Sequence, residues 1–218
     1  MSEWVEWHKG YAPGSPLTRR LEIVQGLIRG ALDAAPPGPI AVISMCAGDG
    51  RDLLGVLAGH PRRDDVRARL VELDPELAAR AHERAALVSP AIDVVTGDAA
   101  WTSSYAGAVP ADIVLACGIF GNITDDAVRN TVTRLPALCA PNATVIWTRG
   151  TFAPDLTPTI RAWFMEAGFS EVDFVTIPGT TLGVGADRLM SPPPAFEPGL
   201  RLFTFLEREC RPSAASGH

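Results

Sequence analysis

The chain has 218 residues, 47% of them hydrophobic, which is enough apolar material to bury the core of one α/β domain. Its formal net charge is −6, so no overall positive field attracts phosphate backbones, and a nucleic-acid partner is disfavoured. The cysteines form no CxxC pair, the acidic N-terminus is unlike a signal peptide and no apolar run is long enough to span a membrane. We therefore expect a cytoplasmic protein with free thiols and no membrane partner.

Strand and helix patterns alternate along most of the chain, which predicts a parallel sheet covered by helices on both faces. A first helix is predicted to begin at Ser15-Pro16 and to end before Pro36-Pro37. The predicted strands are Ile40–Met45, Ala68–Leu73, Ala91–Thr96, Asp112–Cys117, Ala143–Thr148, Glu171–Ile177 and Leu200–Leu206. The other predicted helices cover residues 50–58, follow the N-caps Asp74 and Thr124, and run from Thr157 to the left-handed cap Gly168.

The last two predicted strands have no helix between them. A connection rich in Gly and Pro joins them, so we expect them to pair antiparallel as a hairpin-like edge. The sequence therefore predicts a single α/β domain, with a seven-stranded, mostly parallel sheet, helices on both faces and an antiparallel last strand.

The loop after the first predicted strand carries very little side-chain volume. It reads Cys46-Ala47-Gly48-Asp49-Gly50, and glycines allow a backbone to approach a bound nucleoside closely. About twenty residues further on, the second strand ends near Glu72, where a carboxylate can accept hydrogen bonds from both ribose hydroxyls. The pair predicts a cofactor that contains adenosine.

These elements resemble the class I S-adenosylmethionine-dependent methyltransferases, from about Ile40 to Leu206. Residues 46–50 occupy the place of that family's Gly-x-Gly-x-Gly loop. Glu72, within Val71-Glu72-Leu73-Asp74-Pro75, stands at the family's ribose-binding acidic position.

Two further segments carry the same resemblance. Gly97-Asp98-Ala99 stands where the family has an acidic side chain that accepts the adenine amino group. Residues 116–122 match the segment that lines the methionine part of the cofactor and the acceptor pocket. With the N-terminal pattern Trp-x-x-Trp-His-x-x-Tyr, the chain is similar to small actinobacterial members of the family.

The resemblance implies S-adenosylmethionine as the cofactor. We expect three parts along the chain: a helical lid or cap at 1–37, a class I methyltransferase domain at 38–209, which the resemblance implies, and a disordered tail at 210–218. The implied cofactor-binding residues are Cys46, Ala47, Gly48, Gly50, Glu72, Leu73, Asp98, Ala99, Cys117 and Gly118.

The chain departs from the family pattern at two positions. Cys46 replaces the first glycine of the loop, and Ser44 replaces the acidic residue that often precedes it. Gly48 and Gly50 remain, so close approach of the backbone to a ligand is retained.

A dinucleotide is the competing ligand. Its loop would need a glycine at position 53, where this chain has Leu53. Asp49 and Asp52, at the start of the following helix, would repel a pyrophosphate and tolerate a cationic sulfonium. This difference in charge favours S-adenosylmethionine.

Each of these residues also has a purely structural interpretation. The loop glycines can serve only a tight turn, Glu72 can be a solvated strand end, and Gly-Asp at 97–98 is an ordinary turn dipeptide. Cys46 and Cys117 follow strands expected to be neighbours, and we interpret them as small pocket-lining residues in preference to a redox pair.

The N-terminal segment is the candidate cover for the acceptor. Trp4, Trp7, His8 and Tyr11 would share one face of a helix, either as a lid or as an aromatic stripe that anchors the helix. For the two Trp residues we favour anchoring. His8 is a candidate general base with a structural alternative, and Tyr11 is a candidate contact to the cofactor or acceptor.

Polar residues after the fourth and fifth strands are further candidates. Asn122 can hydrogen-bond an amine or hydroxyl of the acceptor, or cap the next helix, for which Thr124 is better placed. Arg149 can hold an anionic acceptor or pair with Asp155, and we favour the ion pair.

The sequence thus predicts transfer of a methyl group to a small-molecule acceptor by in-line displacement, with His8, Tyr11 and Asn122 as candidate catalytic residues. Trp101 and Tyr105 either wall the adenine or pack the loop, and no cluster suggests a metal. A protein or RNA acceptor, and a cofactor-binding protein without methyl transfer, are the alternatives. The antiparallel edge and the N-terminal helix are candidate homodimer surfaces.

Overall fold

The structure is a computed structural model that describes residues 10–206. Its α-helices are α1 (Pro16–Ala34), α2 (Leu53–Leu57), α3 (Pro75–Val88), α4 (Asp125–Arg134) and α5 (Thr157–Glu166). Its strands are β1 (Ile40–Met45), β2 (Val66–Glu72), β3 (Ile92–Thr96), β4 (Ala111–Ala116), β5 (Cys139–Gly150), β6 (Phe169–Thr176) and β7 (Leu182–Leu189). Residues 1–9 of the predicted lid and the predicted tail lie outside the described residues. None of the helices between residues 10 and 206 is both long and apolar enough to cross a membrane.

Short-range side-chain chemistry fixes where several helices begin. The Asp74 carboxylate accepts hydrogen bonds from the Glu76 and Leu77 N–H groups, and Pro75 follows as the first residue of α3. Thr124 caps α4 through the Ala127 N–H. Gly168, with φ of +88°, follows α5 in the left-handed conformation. These predicted caps are confirmed.

The seven strands form one sheet in the order β3-β2-β1-β4-β5-β7-β6. The first five strands are parallel, and β7 pairs antiparallel with both β5 and β6. The strand order reverses at β1, whose neighbours are β2 on one side and β4 on the other. In open α/β sheets such a reversal leaves a crevice at the carboxyl ends of the strands, where ligands bind.

The position of the last strand differs from the prediction. The antiparallel strand is Leu182–Leu189, whereas the predicted strand Leu200–Leu206 lies outside the sheet and makes only isolated bridges, Trp101 to Arg201 and Ile123 to Phe205. The predicted architecture is confirmed, but this strand assignment was wrong.

Two glycines explain why β7 resembles a loop in the sequence. A Cβ on Gly185 would collide with the indole ring of Trp147 on β5. A Cβ on Gly183 would lie 3.0 Å from the ring of Phe174 on β6. The glycines are therefore needed because aromatic rings from both neighbouring strands cover the backbone of β7.

Helices cover both faces of the sheet, as predicted. On one face α1 packs against β5 and β7, α3 packs against β2 and β3, and α2 lies between these two helices; on the other face α4 and α5 pack against each other, with α5 along β6. The end of α1 is tied down by Arg62, whose guanidinium donates to the carbonyls of Leu32, Ala35, Pro36 and Gly38. This contact holds the end of α1 in place beside the start of β1.

Candidate functional site

The carboxyl ends of β1, β2 and β4 open into a cavity of about 400 Å³. It lies where the strand order reverses, as expected for a ligand site in this kind of sheet. Every predicted cofactor-binding residue except Gly50 lines it: Cys46, Ala47, Gly48, Glu72, Leu73, Asp98, Ala99, Cys117 and Gly118. Tyr11 and Asn122, two of the three predicted catalytic residues, also line it, and His8 lies outside the described residues.

The loop after β1 has the backbone conformation that its glycines allow. Cys46, Gly48 and Gly50 have φ of 52°, 58° and 72°, all in the left-handed region. Gly50 faces the interior, because a Cβ there would lie 2.6 Å from Leu54 and 2.9 Å from Leu70 side-chain atoms. Gly50 therefore allows α2 to pack against the sheet, and Gly48 is the glycine that borders the cavity.

The Glu72 carboxylate is held against this loop. Its Oε2 accepts a hydrogen bond from the Gly48 N–H at 2.8 Å, and its Oε1 accepts one from the Asp74 N–H, also at 2.8 Å. The residue is only 7% exposed, and it lines the cavity. A carboxylate oxygen accepts more than one hydrogen bond, so Glu72 retains acceptor capacity for a ligand.

Asp98 stands on the cavity wall beyond β3 and also organises its own turn. Its Oδ1 accepts a hydrogen bond from the Ala100 N–H at 2.9 Å, and its Oδ2 lies 3.8 Å from Arg201. Asp98 therefore shapes the turn, as its structural interpretation predicts, and also lines the cavity.

The thiols of Cys46 and Cys117 form part of the cavity wall and are free. Burial, reinforced by the Glu72 and Asp98 carboxylates, raises the pKa of Cys46 well above its usual value. Burial, with the Asp52 carboxylate, also raises the pKa of Cys117. Both side chains are therefore neutral at physiological pH and act as small apolar, polarizable groups.

Tyr11 is fixed between two arginines at the cavity. Its phenolic oxygen accepts a hydrogen bond from Arg20 at 2.8 Å, and the Arg51 guanidinium lies 4.2 Å from the centre of its ring. Burial raises the pKa of Tyr11 from its ordinary value, so the phenol is protonated at neutral pH. Toward a ligand, its hydroxyl is a hydrogen-bond donor.

Asn122 reaches the cavity from the turn after β4. Its Nδ2 donates to the Gly118 carbonyl at 2.8 Å, and its carboxamide oxygen makes no hydrogen bond to another described residue. Thr124 provides the cap of α4, so Asn122 does not serve that purpose.

Arg149 does not reach the cavity. It is 7% exposed, donates to the Phe120 carbonyl and lies 3.7 Å from Asp125, while Asp155 accepts from Thr157 at the start of α5. The expected ion-pair partner, Asp155, is thus replaced by Asp125. Burial lowers the pKa of Arg149, with the charges of Asp125 and Asp155 opposing that effect.

Trp101 and Tyr105 pack the loop and are not part of the cavity wall. Tyr105 is fully buried and donates to the Ala99 carbonyl at 2.7 Å. Trp101 lies against the guanidinium of Arg201. Among residues 10–206, no group of three or more His, Cys, Asp or Glu side chains is placed to hold a metal ion.

Several wall residues have no counterpart in the motif analysis. Arg20, Leu21 and Val24 reach the cavity from α1, and Phe205 reaches it from the segment after β7. Asp52 follows the glycine loop, and burial raises its pKa to about 6. In the sequence, Asp52 stood out only for its negative charge after the loop.

Neither a model of a known protein family nor a characterised protein matches the sequence. Solved structures do match the fold. One is 1,6-didemethyltoxoflavin-N1-methyltransferase of Burkholderia thailandensis with bound S-adenosylhomocysteine, at 17% identity over 86% of this chain and 87% of that one, with a TM-score of 0.63. Another is magnesium protoporphyrin IX methyltransferase of Synechocystis with bound S-adenosylmethionine, at 12% identity over 86% and 91%, with a TM-score of 0.63.

An O-methyltransferase family protein of Burkholderia thailandensis also matches, at 16% identity over 80% of this chain and a TM-score of 0.63. The chain spans 56% of the length of that protein. These likenesses show that the chain has the Rossmann-like fold of the class I methyltransferases.

Proposed function

We propose that the protein is an S-adenosylmethionine-dependent methyltransferase whose acceptor is a small molecule. The observation that carries the proposal is the Glu72 carboxylate, buried at the end of β2 and hydrogen-bonded to the Gly48 N–H at the cavity. A fixed carboxylate beside a bend with almost no side chains suits the two hydroxyls of a ribose. Structures of the same fold with S-adenosylhomocysteine or S-adenosylmethionine bound support the same cofactor here.

The residues of the cavity fit that cofactor in size and polarity. A volume of about 400 Å³ lies within the range of pockets that enclose small ligands. Asp98 offers an acceptor for the amino group of a base, and the neutral thiols of Cys46 and Cys117 offer a polarizable wall for a sulfur-containing chain. The Asp52 carboxylate disfavours a pyrophosphate, which argues against a dinucleotide.

When bound, S-adenosylmethionine supplies an activated methyl group on a sulfonium. The residues of this chain supply position and a dry surrounding for it. Leu21 and Val24 of α1, with Phe205, form apolar walls that exclude water. Asn122 presents its carboxamide oxygen to an N–H or O–H of the acceptor, and the protonated phenol of Tyr11 acts as a donor.

A small acceptor is favoured by the charge of the chain, because a net charge of −6 disfavours RNA. The related folds named above include a toxoflavin-precursor and a porphyrin methyltransferase. We also propose a cytoplasmic location, supported by the free thiols of Cys46, Cys117 and Cys139. General-base help from His8 and a homodimer stay predictions.

The test is transfer of tritium from methyl-labelled S-adenosylmethionine into a cell lysate separated by molecular size. We expect label in small molecules, with formation of S-adenosylhomocysteine, and loss of both with Glu72→Ala. An exposed Glu83→Ala variant on α3 is the matched control and should keep the transfer. Label confined to large species would contradict a small acceptor. Absence of both label and S-adenosylhomocysteine would contradict methyl transfer.

A further inference from the structure

The turn after β4, residues 117–122, lines the cavity at both of its ends. Cys117 and Gly118 at its start and Asn122 at its end are wall residues. Ile119 and Phe120, between them, are fully buried. The middle of the turn is therefore set into the core, and the place of Asn122 beside a ligand depends on how that middle is held.

Two side chains from β5 hold this turn. The hydroxyl oxygen of Thr148 accepts a hydrogen bond from the Gly118 N–H at 2.8 Å. The Arg149 guanidinium donates through Nη1 to the Phe120 carbonyl. Both residues directly follow Trp147, the last residue of β5 that pairs with β4. The end of β5 therefore fixes the backbone of the turn at two points, one at its start and one in its middle.

Ion pairing does not account for the burial of Arg149. The side chain is only 7% exposed, and its ion pair with Asp125 is 3.7 Å long and involves a carboxylate side chain that is 62% exposed. The buried Nε of Arg149 has no hydrogen-bond partner among the described residues. A buried guanidinium paired in this incomplete way costs free energy, and an apolar side chain of similar volume is usually no less stable. The bond to the Phe120 carbonyl is thus the hydrogen bond that an apolar residue could not replace.

We propose that Arg149 is a positioning residue for the acceptor, because it holds the Phe120 carbonyl and so fixes the turn that carries Asn122. This inference rests on the proposed function. The Asn122 Nδ2 donates to the Gly118 carbonyl across the same turn at 2.8 Å, so a shift of the turn would move the carboxamide that we assign to the acceptor. A displacement of about 1 Å in a positioned group can slow a reaction about 100-fold.

The cofactor is expected to bind without help from Arg149. The Glu72 carboxylate is held by the Gly48 N–H, which belongs to the loop after β1. Gly118 keeps its separate bond to Thr148. Loss of the Arg149 contact should therefore lower the rate of methyl transfer and leave the affinity for the cofactor nearly unchanged.

The experiment separates methyl transfer from cofactor binding in the full chain. Initial rates of tritium transfer from methyl-labelled S-adenosylmethionine into the small-molecule fraction of a cell lysate give an apparent kcat and a KM for the cofactor. Calorimetry gives the affinity for S-adenosylhomocysteine. The variants are Arg149→Met, which keeps much of the volume, and Arg149→Lys, which keeps a donor. Arg129→Met, on the exposed face of α4, is the matched control for loss of one positive charge.

We expect Arg149→Met to lower the apparent kcat at least about tenfold, with the KM for S-adenosylmethionine and the affinity for S-adenosylhomocysteine changed by less than about threefold. Arg149→Lys should recover part of the transfer, because its ammonium group can donate one hydrogen bond to the Phe120 carbonyl. Arg129→Met should behave like the wild type in all three measurements.

Unchanged transfer by Arg149→Met would overturn the inference and leave the proposed function standing. An equal loss of transfer and of S-adenosylhomocysteine binding would also overturn it, because the role of Arg149 would then be structural alone. If Arg149→Met does not fold, Arg149→Lys decides: normal binding with transfer lowered at least about threefold supports the inference, and wild-type transfer overturns it. A wild-type chain without any transfer would overturn the proposed function and this inference with it.

Discussion

The Glu72 carboxylate accepts a 2.8 Å hydrogen bond from the Gly48 N–H and so joins the end of β2 to the bend after β1. A second bond, from the Asp74 N–H, joins it to the start of α3. One side chain therefore fixes the loop, the strand end and the helix start that form one wall of the cavity. The same carboxylate is the group to which we assign the ribose.

Gly48→Ala tests the bend. Gly48 has φ of +58°, where a side chain costs roughly 1–2 kcal/mol, so we expect a loss of that size in the free energy of unfolding. Urea unfolding followed by circular dichroism measures it. Gly26→Ala in α1, where a Cβ would meet nothing within 4 Å, should instead stabilise the chain by roughly 0.5–1 kcal/mol. A Gly48→Ala variant as stable as the wild type would show that the bend differs from the one described.

Gly185→Ala tests the packing of β7. The added Cβ would collide with the indole of Trp147, and overpacking of this kind costs roughly 1–3 kcal/mol. We expect a lower thermal unfolding temperature and altered tryptophan fluorescence. Gly59→Ala, with open space around the added Cβ, should stay within about 0.5 kcal/mol of the wild type. If both variants behave alike, β7 does not lie beneath the Trp147 ring.

Asp187 on β7 should make stability depend on pH. Its carboxylate is buried and accepts a hydrogen bond from the Trp147 indole at 2.7 Å. Burial raises the pKa of Asp187 to about 6. The hydrogen bond from Trp147 and the charge of Arg161 oppose this increase, and the charge of Glu171 adds to it. Because the pKa of Asp187 is raised in the folded state, the stability that its protonated form contributes is fully present below the pKa of the unfolded chain. This stability is lost as pH rises through 6.

Asp187→Asn keeps an acceptor for the indole and removes the charge. The variant should therefore gain stability relative to the wild type as pH rises from 5 to 7.5, by roughly 1.4 kcal/mol. Urea unfolding at several pH values measures this difference. A difference that stays constant across the range would rule out a titrating Asp187. Asp173→Asn on the neighbouring strand β6 is the exposed control.

The parts of the fold that depend only on residues close together in the chain could be predicted from the sequence. Each of the first five strands contains a short aliphatic run, and the caps Asp74 and Thr124 act within three residues, so both were predictable. The position of β7 depends on rings from two other strands that need Gly183 and Gly185 beneath them. No pattern within β7 itself indicates that these rings cover it, so its glycine-rich sequence resembled a loop.

The candidate site likewise contains some residues that could be predicted from the sequence and others that could not. Residues that directly follow β1, β2 and β4 lie on the cavity wall because parallel strands end at a common edge. Phe205 reaches the wall through its bridge to Ile123, and Arg149 on β5 lies 3.7 Å from Asp125 at the start of α4. Both contacts join residues far apart in the chain, so spacing alone gives no sign of them.

Calorimetry of S-adenosylhomocysteine binding to the wild type and to Glu72→Ala tests the central claim most directly. Glu72→Ala removes both the charge-assisted hydrogen bonds to the ribose and the side chain that fixes the bend, so binding should weaken at least about tenfold. The exposed variant Glu83→Ala should bind like the wild type. An affinity of Glu72→Ala equal to that of the wild type would contradict the account.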